Sequence, residues 1–236
     1  MSNPTNPYYG HRYPAEIISH AVWLYFRFTL SFRDVDELLT ARGIFVTYET
    51  IRQWTLKFGQ SFANELRRRQ PRPGDKWHLD EVVITMKGKQ YYLWRAVDQK
   101  GYTLDILVQS RRNTKAARRF FRKLLKGLQY VPRVLITDKL KSYAAAKKTI
   151  MPEVEHRPHK GLNNRAELSH QPTRQQERQM RRFKSPRQAQ RFLSAYDPIN
   201  NLFYLCRHRI PAVQYRVARQ EAFNTWSQVT SVQKAA

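Results

Sequence analysis

Apolar residues recur along this chain with two different periods, and the change of period divides it. Over the first sixty residues the spacing is helical. Pro14 is placed to open a helix, and Ile17, Ala21, Leu24 and Phe28 follow at three- to four-residue intervals. Ser31, with Asp34 three residues on, marks the start of a second helix whose Val35, Leu38 and Leu39 face inward. Gly43 supplies a turn, and Thr47 caps a third helix over 48–58 with apolar positions at Ile51, Trp54, Leu56 and Phe58. Helix, short glycine turn and capped helix predict a helix-turn-helix, with Tyr48, Glu49, Arg52, Gln53 and Lys57 on its polar face. An ordinary three-helix bundle is the alternative reading.

From residue 77 the pattern shortens to that of strands. Runs at 77–85, 91–97 and 102–108 are separated by tight turns at 87–90 and 98–101, so the three are expected to pair antiparallel. Asn113-Thr114 begins a helix with Ala117, Phe121, Leu124 and Leu128 on one face. Lys115, Arg118, Arg119, Arg122, Lys123 and Lys126 lie on the other. That crossover makes the next strand, 131–137, parallel to a neighbour. A short helix at 142–148 and a short strand at 154–156 follow. Helical stretches over 163–180, within 186–208 and over 215–226 complete the pattern. The expected fold class is α/β with an α+β mixed sheet, preceded by a helical N-terminal domain. The boundaries read as an arm and helix-turn-helix at 1–66, a basic Pro-rich linker at 67–76, a mixed-sheet domain at 77–209, and a C-terminal helix and tail at 210–236.

Charge changes the picture. The chain carries 43 Lys+Arg against 18 Asp+Glu, a formal net charge of +25. Such an excess repels itself unless a polyanion neutralises it, and nucleic-acid backbone is the usual one. A single cysteine, Cys206, excludes an intrachain disulfide and a multi-cysteine zinc module, and fits a reducing, cytoplasmic setting. No apolar stretch approaches the length of a membrane span, and the N-terminus lacks the pattern of a secretory signal. Neither a P-loop nor a nucleophile elbow is present.

Against this basic background three acids stand out. Asp80 lies inside the apolar run 77–84, Asp138 ends the run 134–138, and Glu167 sits in a polar helical stretch. A carboxylate in or at the end of a buried strand is costly without a partner. Each acid has a plainer reading alone: Asp80 paired with an arginine, Asp138 a strand-end turn residue, Glu167 a solvated helical glutamate. Glu81, which should point to the other face of its strand, rivals Asp80 for the site. As an ordered set, on the first strand, the fourth strand and a later helix, they follow the order of an RNase H-like domain. There, clustered carboxylates hold two hard cations about 3.5–4 Å apart for phosphodiester chemistry.

Trp77-His-Leu-Asp-Glu81, Ile136-Thr-Asp-Lys-Leu-Lys-Ser-Tyr143, Val154-Glu-His156, Leu162-Asn-Asn-Arg-Ala-Glu167, Ser169-His-Gln171 and Arg181-Arg-Phe-Lys-Ser185 together resemble the DDE transposases of bacterial insertion sequences, most closely the IS-six family. The resemblance runs from about residue 14 to 226. It implies an RNase H-like catalytic core in which Asp80, Asp138 and Glu167 bind two Mg²⁺ ions, with Mn²⁺ as a substitute. It implies nicking at the element's 3′ ends and attack of the freed 3′-hydroxyl on target DNA. Expected partners are double-stranded DNA, as terminal inverted repeats and as target, and a second copy of the chain in a dimer or larger synaptic assembly, with no membrane. Expected DNA contacts are Arg52, Gln53 and Lys57 on the recognition helix, Arg118 and Arg122 on the basic helix, Lys139 beside Asp138, and Arg174 and Arg178 beyond Glu167. Arg174 comes seven residues, nearly two turns, after Glu167 and shares its face. The competing readings are a non-catalytic, transposase-derived DNA-binding repressor and an RNase H-like nuclease that cuts without strand transfer.

Overall fold

The computed structural model describes residues 6–205 and 210–231. In chain order the elements are α1 (Ala15–Arg27), α2 (Phe32–Thr40), α3 (Tyr48–Arg69), β1 (Lys76–Met86), β2 (Lys89–Asp98), β3 (Thr103–Gln109), α4 (Thr114–Leu128), β4 (Val134–Thr137), α5 (Lys141–Ile150), β5 (Glu155–Pro158), a 3₁₀ turn (Lys160–Asn163), α6 (Asn164–Gln179), α7 (Pro186–Leu202) and α8 (Ala212–Val229). They form two compact units: residues up to Arg69 together with those from Leu202 onward, and Gln70–Asn201.

In the first unit, α2 begins with a reciprocal cap. Ser31 Oγ accepts from the Asp34 amide at 3.1 Å, and the Asp34 carboxylate accepts from the Ser31 amide at 2.7 Å. Gly43, at φ +73°, makes the turn, and Thr47 Oγ1 caps α3 through the Thr50 amide. Two expectations are corrected. Leu38 is exposed rather than inward, because Val35 and Leu39 already fill the buried stripe of α2. Helix α3 also continues well beyond residue 58, through Arg67–Arg69, so the proline-rich stretch begins after it. What lets it pass Gly59 is close packing: a Cβ there would lie 2.6 Å from Phe26 Cε2. Phe62 and Ala63 then bury further along, with Trp226 of α8 edge-on to Phe62. The sequence positions 206–208, including Cys206, fall outside the described residues.

The second unit is a five-stranded sheet in the order β3-β2-β1-β4-β5. β1–β2 and β2–β3 pair antiparallel; β1–β4 and β4–β5 pair parallel. The mixed sheet flanked by helices agrees with the fold class expected. The β1–β2 turn has positive φ at both Lys87 and Gly88, the twist a two-residue hairpin needs. One face of the sheet, with Trp77, Leu79 and Trp94, packs on Ala117, Phe120, Phe121 and Leu124 of α4 and on Tyr143 of α5. The other face carries Asp80 and Arg95, directly opposite one another in register, and meets α6. α7 runs beside β3, where Gln190 Oε1 accepts from the Val108 amide and Asn201 bonds both backbone groups of Thr103.

Candidate active site

The acids meet because β4 is short. β1 pairs with β4 only as far as Leu79 opposite Thr137. Asp80 and Asp138 are each the next residue, so both leave the ladder at the same level, where the sheet opens. Glu81 points to the α5 face, as alternation requires, where Tyr143 and Arg112 meet its carboxylate beyond the end of β4. Oxygens of Asp80, Glu81 and Asp138 consequently lie within 4.8 Å of one another. Helix α6 brings the fourth acid. Asn163, fully buried, donates through Nδ2 to the Leu79 carbonyl at 2.7 Å, fixing the start of α6 against β1 beside Asp80. One turn later Glu167 lines a cavity of about 500 Å³ together with Asp80, Arg112, Asp138, Lys139 and Leu140. Glu167 shares the cavity but is not one of the three clustered carboxylates.

The electrostatics are those of a site that lacks enough positive charge. Burial raises the Asp80 carboxyl to about 6, with the Asp138 charge adding to the rise. Burial likewise lifts Glu81 to about 7, against the Tyr143 hydroxyl and Arg112, which favour its ionised form. His170, on α6, has Nε2 3.5 Å from Asp80 Oδ2. Burial, and then the charges of Arg95 and Arg174, hold its pKa well below the usual histidine range, so it stands neutral beside the carboxylate. Asp138 Oδ1 accepts from the Leu140 amide at 3.0 Å, and its Oδ2 accepts from Arg112 at 3.3 Å. Clustered oxygen donors with pKa values raised by burial and mutual repulsion suit a hard divalent cation, which would relieve both.

Other sequence-predicted residues are spread more widely. Lys139 is in the cavity wall. Arg174 and Arg178 are exposed on α6, and Arg122 is exposed on α4. Arg118 is half-buried and donates to Thr149 Oγ1 at 3.1 Å, tying α4 to α5. On α3, Arg52 forks onto Glu49 at 2.7 and 2.8 Å, Gln53 donates to the same carboxylate, and Lys57 Nζ lies 2.8 Å from His11 Nε2. Arg112 and Tyr143, which bond the acidic cluster, were not singled out as site residues from the sequence. Tyr143 fell inside a quoted motif, but nothing in the order of residues says that its hydroxyl reaches Glu81.

Residues 74–204 match a family model described as a DDE domain, of the IS240 transposase type. The transposase of the insertion sequence-like element IS431mec from Staphylococcus aureus is 33% identical over 160 residues, covering 66% of this chain and 71% of that protein. The Staphylococcus aureus transposase of IS257 in transposon Tn4003 is 32% identical over the same length and coverage. Among solved structures, the catalytic domain of Mos1 mariner transposase aligns with a TM-score of 0.39 and 13% identity, over 75% of this chain and 92% of that one, too loosely to carry an argument. With a DDE-domain model spanning more than half its length and relatives of this similarity, the chain belongs to the DDE transposases, among the insertion-sequence enzymes related to IS431mec and IS257.

Proposed function

We propose that this enzyme binds the ends of its element, nicks them to expose 3′-hydroxyls and joins those hydroxyls to target DNA, with Asp80, Asp138 and Glu167 holding two Mg²⁺ ions. The observation that carries the reading is the convergence in one cavity of Asp80 and Asp138, from strands distant in sequence, with Glu167 of α6. When bound, the ions would acidify the attacking water or hydroxyl and stabilise the leaving oxygen. The chain's own residues do the rest. Asp80 and Asp138, at the sheet's open end, supply the shared oxygens. Glu167 supports the role of third ligand because no hydrogen bond or ion pair occupies it among the described residues. Glu81, by contrast, already has one oxygen on Tyr143 and the other on Arg112. Lys139 in the cavity wall and Arg174 on α6 offer positive charge to the scissile strand's phosphates.

Helices α2 and α3, with the turn at Gly43, are read as the helix-turn-helix, and Tyr48, Arg52, Gln53 and Lys57 as its groove-facing residues. Arg118, Arg122 and Arg178 would lie along backbone, and two copies of the chain would hold the two ends. Labelled end DNA incubated with the protein and Mg²⁺ tests the proposal. Nicked and strand-transfer products are expected from the wild type. Asp80→Asn, Asp138→Asn and Glu167→Gln should lose both while retaining end binding. Nicking by any of the three would remove that acid from the site. End binding by the wild type without nicking would leave the repressor reading instead.

A further inference from the structure

We propose that Arg112 is the internal counter-cation of the acidic cluster and competes with the metal for Asp138. The inference rests on the metal-site reading above. Arg112 lies between β3 and α4, one residue before Asn113, whose Oδ1 caps α4 through the Ala116 amide at 3.0 Å. Its Nε donates to Glu81 Oε1 at 2.5 Å, and its Nη2 donates to Asp138 Oδ2 at 3.3 Å. The two carboxylates differ in anchorage. Glu81's side chain is fully buried, and its other oxygen accepts from the hydroxyl of buried Tyr143 at 2.5 Å. Asp138's is partly open to the cavity, which Arg112 also lines. Arg112, itself 42% exposed, therefore reaches with one arm a buried acid and with the other an acid that faces the cavity.

A guanidinium cannot lose its proton, so it cannot yield by neutralising itself. A divalent ion bound by Asp138 would sit close to the Arg112 charge beside partly buried acids, where repulsion is stronger than in bulk water. Linkage makes the penalty mutual: the factor by which metal loosens Arg112 from Asp138 is the factor by which Arg112 weakens the metal. Arg112 thus positions Glu81 and Asp138 in the empty enzyme and sets the metal concentration at which the site fills.

Calorimetric titration of the full chain with MgCl₂, with thermal unfolding in EDTA and in saturating Mg²⁺, tests this. Arg112→Gln is expected to bind Mg²⁺ more tightly than wild type, by roughly fivefold or more, the lower end of ordinary coupling between sites. It should also melt lower in EDTA and recover most of that deficit in Mg²⁺. Equal or weaker binding, or the same melting deficit in both conditions, would overturn the proposal, since a purely structural arginine gives that second result. Should Gln prevent folding, Arg112→Lys decides. One ammonium cannot span both acids as the fork does, so its magnesium affinity is expected above wild type, and equality or loss counts against the inference. Asp138→Asn separates the two levels. If wild-type binding is absent or survives Asp138→Asn, the metal-site reading itself fails.

Discussion

At the scale of single residues, Asp80 and Glu81 show how burial shifts protonation in the acidic cluster, and Asp80 how the proposed metal site answers to pH. Both carboxyls titrate above their ordinary range, at about 6 and about 7, chiefly because burial disfavours their charged forms. A carboxyl whose folded pKa is raised contributes stability at low pH that is lost as pH rises through the folded value. Metal binding at Asp80 needs its deprotonated form, so it opposes that loss there. The rise in melting temperature produced by Mg²⁺ is therefore expected to be small at pH 5, to grow through pH 6 to 7 and to level off above. A gain that is flat across this range would mean that Asp80 does not hold the ion. Asp80 and Asp138 were legible in the sequence because acids are scarce and both interrupt apolar runs. Arg112 was not, since one arginine among 43 Lys+Arg is conspicuous only when its two carboxylate partners are seen beside it.

At the scale of elements, α6 carries the argument because it must hold Glu167 while containing Pro172, which cannot donate to the Leu168 carbonyl. Arg95 braces it from the sheet. Its guanidinium donates to the Ser169 carbonyl, to Thr173 Oγ1 at 2.7 Å and to Asp197 of α7 at 3.2 Å, all with the arginine 2% exposed. Replacing one member of a buried pair strands the other charge, at a cost of about 3–5 kcal/mol. Arg95→Met is expected to lower stability by that order in urea unfolding and to reduce nicking more than end binding. A loss under about 1 kcal/mol would show that the pair does not brace α6, because a change of that size is ordinary for a point substitution. None of this was readable beforehand. The strand period placed Arg95 within a strand, but its partners lie 74 to 102 residues away. The C-terminal end of α3 and the exposure of Leu38 were misread for a related reason, since which apolar positions are buried depends on the neighbouring elements.

At the scale of the whole molecule, the antiparallel pairing of the first three strands and the parallel sense of the fourth were legible because tight turns enforce the one and a helical crossover the other, while the strand order itself was not. The level at which β4 ends was not, yet that end brings Asp80, Glu81 and Asp138 together. The net charge of +25 spoke for a polyanionic partner, and membership of the DDE transposases now gives that charge a use on DNA. The central claim is that the strand acids and the helix acid share metal. Anomalous diffraction from crystals of the full chain grown with element-end DNA and Mn²⁺ tests it most directly. The account predicts manganese peaks in the cavity lined by Asp80, Asp138 and Glu167, held by those three acids, with Glu81 still on Tyr143. Peaks held by Glu81 while Glu167 faces solvent, or no peak between Asp80 and Asp138, would contradict it.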